Sequence, residues 1–170
     1  VPVGDGVILS GVYKGFEDLL KLGLLDHIPT LVTVQARGSS NLILNLNSPF
    51  QCFEGETVAD SISVNVPRNF YMARDYINTY KGLTAMVSDF EILEASAKLS
   101  KNTGLFTEPA SAAAYAGYIQ LVKQGKIEPN ANSLVLLTGS GLKDLSAVKH
   151  IHPLPKAIEC NLNAVKKLLD

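Results

Sequence analysis

The sequence predicts an α/β protein built as a three-layer open sheet, mostly parallel, with helices on both faces. Three observations carry this expectation. A strand-like Val1–Val3, a glycine turn, a helical stretch and a second β-rich run succeed one another in the first 35 residues, which is a βαβ unit with parallel flanking strands. Strand-like and helix-like segments then alternate as far as Thr138. Finally, "SLVLLT" from Ser133 to Thr138 is a continuous apolar run, the pattern of a strand covered by helices on both faces.

The 170 residues suit one domain with a substantial core. At 46% hydrophobic and 18% charged content the chain is globular, not disordered. A formal net charge of -1 offers no bulk attraction to nucleic acid or to an anionic membrane, so neither is an expected partner. No apolar run approaches the about 18 residues needed to span a bilayer, and no secretory leader is visible, so a cytoplasmic protein is expected. Cys52 and Cys160 stand alone and His27, His150 and His152 are scattered, so no metal site or disulfide framework is expected.

Each element has its own local reason. Apolar residues at Ile8, Val12, Phe16, Leu19, Leu20 and Gly23 predict a helix with one buried stripe, leaving Lys14, Glu17, Asp18 and Lys21 outside. His27 is expected to cap its C-terminal end. Pro29 introduces "TLVTVQ", a strand from Thr30 to Gln35 bounded by Gly38. Residues 39–53 mix Asn and Ser with leucines and predict a short helix. Pro67 starts a helix that carries Phe70, Ala73 and Ile77 inward and stops at Gly82, after which "LTAMVS" from Leu83 reads as a strand. Ser88 and Glu91 have the spacing of a capping box, opening a helix to about Lys101 that Gly104 closes. Thr107-Glu108-Pro109 begins the next helix, with Pro suited to the first turn. Its "ASAAAYAGY" gives a face small enough to lie close on a sheet, and Gly125 ends it. Past "GSG" the pattern decays through Pro153 and Pro155 into an amphipathic "NLNAVKKLLD".

Ligands of open α/β sheets sit beyond the carboxyl ends of the strands. Two strands here run into glycine turns, Val3 into Gly4-Asp5-Gly6 and Thr138 into Gly139-Ser140-Gly141. The first opens straight into a helix, so the amides of Gly4, Asp5, Gly6, Val7 and Ile8 are placed to hold an anion, helped by the helix dipole. A lone glycine pair fits an ordinary tight turn equally well, and neither the Lys-Ser/Thr of a nucleoside-triphosphate loop nor the third glycine of a dinucleotide fingerprint is present. Ser111 reads as packing within the small-residue face, and Lys143 as a solvated lysine after a turn.

Three stretches together resemble one family: "VPVGDGVILSGVYKGFEDLLKLGLLDHIP" with "VTVQARG", "TVADSISVNVPRN", and "GLFTEPASAAAYAGYIQLVKQGKI" with "LVLLTGSGLKD". They are similar, in order and spacing, to the C-terminal half of threonine synthases. These belong to the tryptophan-synthase-β-like (fold type II) pyridoxal-phosphate enzymes. The resemblance implies a lyase that uses pyridoxal 5'-phosphate to convert O-phospho-L-homoserine and water to L-threonine and phosphate. It implies that the amides of Gly4, Asp5, Gly6, Val7 and Ile8 bind the cofactor phosphate. It also implies that the Thr138 hydroxyl meets the pyridine nitrogen. A neutral hydroxyl does not hold a proton on that nitrogen as a carboxylate would, which makes the ring a milder electron sink.

By the same resemblance, residues 1–170 form the C-terminal part of the cofactor-binding catalytic domain of a longer chain. The Schiff-base lysine then lies in a missing N-terminal half, and this chain itself holds no catalytic residue; Lys143 does not match the lysine position. The partners implied are a small amino-acid substrate, that N-terminal half, and a second copy in a homodimer. Two residues depart from the family pattern. Asp5 stands in place of Asn, so its carboxylate is expected to turn away from the phosphate, and Arg37 replaces an acidic residue. The alternatives are a threonine or serine dehydratase, a cysteate-synthase-like β-replacement enzyme, or a non-catalytic module that binds the cofactor or another phosphate compound.

Overall fold

The structure is a computed structural model that describes residues 1–128, 130–149 and 157–169. His150, His152, Pro153 and Pro155 lie outside the described residues.

Helix α1 (Val7–Lys21) leads to strand β1 (Val32–Ala36) and a one-turn helix α2 (Asn41–Leu44). Helix α3 (Phe70–Thr79), strand β2 (Leu83–Val87), and helices α4 (Asp89–Thr103) and α5 (Pro109–Lys123) follow, then the short α6 (Leu145–Val148) and α7 (Leu162–Leu169). β1 and β2 pair in parallel with Val32 opposite Leu83 and Ala36 opposite Val87. On the other side of β1, Val3 N donates to Val34 O at 2.9 Å and Val34 N to Val1 O at 3.0 Å, a parallel bridge. The opening βαβ unit is therefore present with the predicted sense.

Side chains alternate across the sheet. Val34 and Ala36 of β1, with Ala85 and Val87 of β2, face α4 and α5 and join Ile92, Ala95 and the alanines of α5 in one core. The close approach of α5 has a clear cause: a Cβ on Gly117 would lie 2.4 Å from Val34 Cγ2. The opposite face carries Gln35, fully buried, whose Nε2 donates to Val3 O at 3.2 Å and whose Oε1 accepts from Ile43 N of α2 at 3.0 Å. A second core lies among α1, α2 and α3, from Val3, Leu9, Tyr13, Leu42, Phe70, Ala73 and Ile77. Tyr13 stacks on Tyr76 at 5.2 Å and on Tyr80 at 5.5 Å between ring centroids. Helices on both faces of a parallel sheet make the fold α/β, as predicted.

The capping box forms, with Ser88 N donating to Glu91 Oε2 at 2.7 Å and Glu91 N to Ser88 Oγ at 3.3 Å. Gly104 closes α4 in the left-handed region at φ 74°. Four expectations are corrected. The buried stripe of α1 runs through Leu9, Ser10 and Tyr13, whereas Ile8, Leu19 and Leu20 are exposed. The helix is apolar on more than one side, and spacing alone does not say which side is covered. His27 is exposed and does not cap α1; Gly23 N donates to Leu20 O and Leu24 N to Leu19 O instead. α3 begins at Phe70, not at Pro67: the first helical bond runs from Ala73 N to Asn69 O at 3.1 Å, while Arg68 and Asn69 form a turn whose amides go to Asp5. Finally, residues 133–138 form no strand: no described residue pairs with them in a ladder, and Leu134 is 88% exposed. An apolar run makes a strand only where another strand accepts its hydrogen bonds.

Candidate functional site

Gly4 and Gly6 are buried in the turn between the Val1–Val3 bridge and α1. Gly6 caps α1 at φ 85°, in the left-handed region that costs an L-residue about 1–2 kcal/mol. A Cβ there would also lie 2.8 Å from Ala73 Cβ, and one on Gly4 would sit 3.0 Å from Ile62 Cα. Both positions are thus closed from behind by backbone and core. In front, Val7 and Ile8 are 59% and 50% exposed. Ser10 N is the first amide to enter the helical pattern, donating to Gly6 O at 3.0 Å. The amides of Gly4, Asp5, Gly6, Val7 and Ile8 donate to no described residue. Five successive free donors at a helix N-terminus carry the positive end of its dipole and need an external acceptor.

The start of α3 secures this turn. Arg68 N donates to Asp5 Oδ1 at 2.9 Å and Asn69 N to Asp5 O at 3.1 Å. Asn69 Nδ2 reaches Ser10 Oγ at 2.7 Å and Gly6 O at 3.3 Å. One oxygen of the Asp5 carboxylate is therefore engaged by the backbone of the α3 entry. Asn69 holds both ends of the turn, a role not read from the sequence, where it stood as one more polar residue in a helix.

Thr138 is exposed and hangs from the N-terminal turn of α5. The buried Ser111 Oγ accepts from Thr138 N and from Gly139 N, both at 2.6 Å, and lies 3.1 Å from Thr138 Oγ1. Ser111 is thus more than packing. A hydroxyl on a face otherwise made of alanine and glycine was the signal, because a buried polar atom needs a partner. Glu108 is also buried. Its N donates to Gly139 O at 3.2 Å, and a Cβ on Gly139 would fall 2.1 Å from its Oε1. Its Oε2 lies 3.3 Å from Lys143 Nζ and accepts from Ser61 Oγ at 3.4 Å. Lys143 is accordingly paired at the surface.

The segment 59–64 ties the two turns together. Ile62 and Val64 back Gly4, while the adjacent Ser61 reaches the Glu108 that packs on Gly139. A cleft of about 630 Å³ opens beside the second turn, lined by Asp60, Ser61, Glu108, Lys143 and Asp144 among others. Neither Gly4–Ile8 nor Thr138 lines it. Arg37 is exposed at the end of β1, its N donating to Val87 O at 2.7 Å. Cys52 and Cys160 are exposed free thiols. Among the described residues no cluster of three or more His, Cys, Asp or Glu could hold a metal ion. No helix among them is long and apolar enough to cross a membrane.

The profile of the family described as pyridoxal-phosphate dependent enzyme matches residues 1–139. Threonine synthase of Methanocaldococcus jannaschii is 33% identical over 175 aligned residues, covering 99% of this chain and 43% of that protein. Among solved structures, the processed form of threonine deaminase isoform 2 from Solanum lycopersicum superposes with a TM-score of 0.72. Its identity is 20%, over 92% of this chain and 43% of that one. Threonine synthase from Escherichia coli gives a TM-score of 0.66 at 18% identity, over 97% of this chain and 37% of that one. The chain spans less than half the length of the curated relatives it matches. The structural likeness establishes the shared fold. The sequence likeness establishes the family: the chain resembles the C-terminal part of threonine synthases and belongs to the pyridoxal-phosphate-dependent enzymes, whose cofactor is pyridoxal 5'-phosphate.

Proposed function

We propose that residues 1–170 are the C-terminal part of the catalytic domain of a threonine-synthase-like lyase. In this reading the enzyme is a cytoplasmic homodimer, and an N-terminal part of the same polypeptide supplies the Schiff-base lysine. The reaction converts O-phospho-L-homoserine and water to L-threonine and phosphate. The observation that carries the reading is the run of free amides from Gly4 to Ile8 at the start of α1, in a chain whose relatives are threonine synthases.

The residues present fit the cofactor. Gly4, Asp5, Gly6, Val7 and Ile8 offer five backbone donors to its phosphate, and the α1 dipole favours that charge. The glycines are required because a side chain at either one would meet Ile62 or Ala73. Asp5 contributes its amide while one carboxylate oxygen takes the Arg68 amide, which keeps that oxygen's charge off the phosphate. Thr138, held by Ser111, presents a neutral hydroxyl to the ring nitrogen. When bound, pyridoxal phosphate supplies an electron sink for carbanionic character next to the substrate nitrogen. The residues of this chain orient the cofactor and set the electronic state of its ring. They do not touch the bond that breaks.

The test is turnover by the full natural polypeptide. O-phospho-L-homoserine should yield equal amounts of L-threonine and inorganic phosphate. Deamination of L-threonine or L-serine without turnover of O-phospho-L-homoserine would establish the dehydratase reading instead. Cofactor binding with no turnover of any of these would leave the β-replacement enzyme or the non-catalytic module.

A further inference from the structure

We infer that Ser111 is a positioning residue that fixes the direction of the Thr138 hydroxyl proton, committing Thr138 to donate to the cofactor's ring nitrogen. This rests on the reading of Thr138 as the residue that meets that nitrogen, and adds to it a second hydroxyl that never touches the cofactor.

The inference follows from counting protons and lone pairs. A serine hydroxyl has one hydrogen and two acceptor positions. Ser111 Oγ receives the amides of Thr138 and Gly139, both at 2.6 Å, so both acceptor positions are filled. Its third polar neighbour is Thr138 Oγ1 at 3.1 Å, between two hydroxyls of which either could in isolation donate. With both lone pairs of Ser111 occupied by N–H donors, the hydrogen in that contact belongs to Ser111, and Thr138 Oγ1 accepts. Ser111 is completely buried, so no water competes for its hydrogen.

Thr138 Oγ1 is left with its own hydrogen and one lone pair. Among the described residues it makes no other hydrogen bond, and the residue is exposed. Donating outward satisfies that hydrogen. Accepting outward, from a protonated pyridine nitrogen, would require another acceptor for that hydrogen, and none of the described residues supplies one. The hydrogen bond received from Ser111 also polarises the Thr138 O–H and makes it the better donor. The pair therefore selects the unprotonated ring. A buried serine on α5 thus tunes the ring through one relay, without a charge near the nitrogen.

The experiment uses the full natural polypeptide loaded with pyridoxal phosphate carrying 15N in the ring, read by NMR. A protonated pyridine nitrogen resonates far upfield of an unprotonated one, and accepting a hydrogen bond gives a smaller upfield move. The wild-type protein should show an unprotonated, hydrogen-bonded nitrogen whose shift is constant across the neutral pH range. Thr138→Val should move it downfield. Ser111→Ala should move it in the same direction, and the double variant should coincide with Thr138→Val alone. Loss of the relay alone leaves Thr138 donating and should give a smaller downfield move than Thr138→Val. A Ser111 that only braced the loop would release Thr138 and give the full Thr138→Val move, and either that or an unmoved shift would overturn the inference. If Ser111→Ala does not fold, Ser111→Cys, which keeps the size but donates weakly, takes its place with the same expected direction. A protonated nitrogen in the wild type, or no change in Thr138→Val, overturns the inference. Wild-type protein that takes up no cofactor overturns the reading of the site as well. Bound cofactor with an unmoved shift in Ser111→Ala overturns this inference alone.

Discussion

The two glycine turns of this molecule have different neighbours. Gly4–Ile8 follows a paired segment, Val3 on Val34, and is backed by Ile62 and by the α3 entry, whose backbone and Asn69 side chain bond Asp5 and Gly6. The turn at 138–141 is held on the entry to α5, by Glu108 N on Gly139 O, Gly141 N on Phe106 O and the Ser111 hydroxyl, and the run leading into it is unpaired. The segment entering the first turn bridges to β1, whereas residues 133–138, entering the second, pair with no described strand. In the function proposed above, the first turn would take the cofactor's phosphate and the second would meet its ring.

The same substitution made in each turn sharpens that contrast. Gly6→Ala forces a left-handed residue and a contact 2.8 Å from Ala73 Cβ. Strain and overpacking together should remove about 3 kcal/mol of stability, measured by urea unfolding, and abolish cofactor binding. Gly139→Ala meets the Glu108 side chain, from Oε1 to Cγ, and no backbone or positive φ. It should cost about 1 kcal/mol yet still weaken cofactor binding in a fluorescence titration. Equal losses of stability from the two would break the distinction.

A change in neither turn provides the control. Ser88→Ala removes the α4 cap and should cost about 1 kcal/mol with no effect on cofactor affinity. The hydrogen bond from the Ser88 amide holds the Glu91 carboxyl below its usual value. A carboxylate with a depressed folded pKa contributes its stability in full above its unfolded pKa and loses it as pH falls through the folded one. The difference between wild type and Glu91→Ala, which removes the carboxylate that this amide holds, should therefore be full at neutral pH and shrink in acid below the ordinary glutamate range. The smallest effect belongs to Asp5→Asn. Asparagine keeps an oxygen for the Arg68 amide, so stability should change by less than about 0.5 kcal/mol. Cofactor affinity should stay the same or rise, because a negative charge near the phosphate is gone.

What the sequence discloses, and what it hides, divides along a similar line. The α4 capping box, the Gly104 stop, the close-packed face of α5 and the parallel sense of the first unit were legible because each depends on residues near one another in the chain. So was the free-amide turn, which needs only a strand, two glycines and a helix start. The covered side of α1 was not legible, since Ile8, Leu19 and Leu20 are as apolar as Leu9 and only the packing of α3 decides between them. The run 133–138 was read as a strand because its composition is that of one, while the partner that would make it so is not encoded in those residues. Ser111, Glu108 and Asn69 were passed over for a related reason. Their partners lie at positions 138–143 or at 5–10, and spacing within their own helices does not point there.

The most direct measurement is the electron density of the cofactor-loaded full polypeptide in a crystal. The phosphate of pyridoxal phosphate should lie within hydrogen-bonding distance of the amides of Gly4 to Ile8, with Asp5 still on the Arg68 amide and the ring nitrogen at Thr138. A phosphate bound elsewhere, or those amides turned to protein acceptors, would contradict the account.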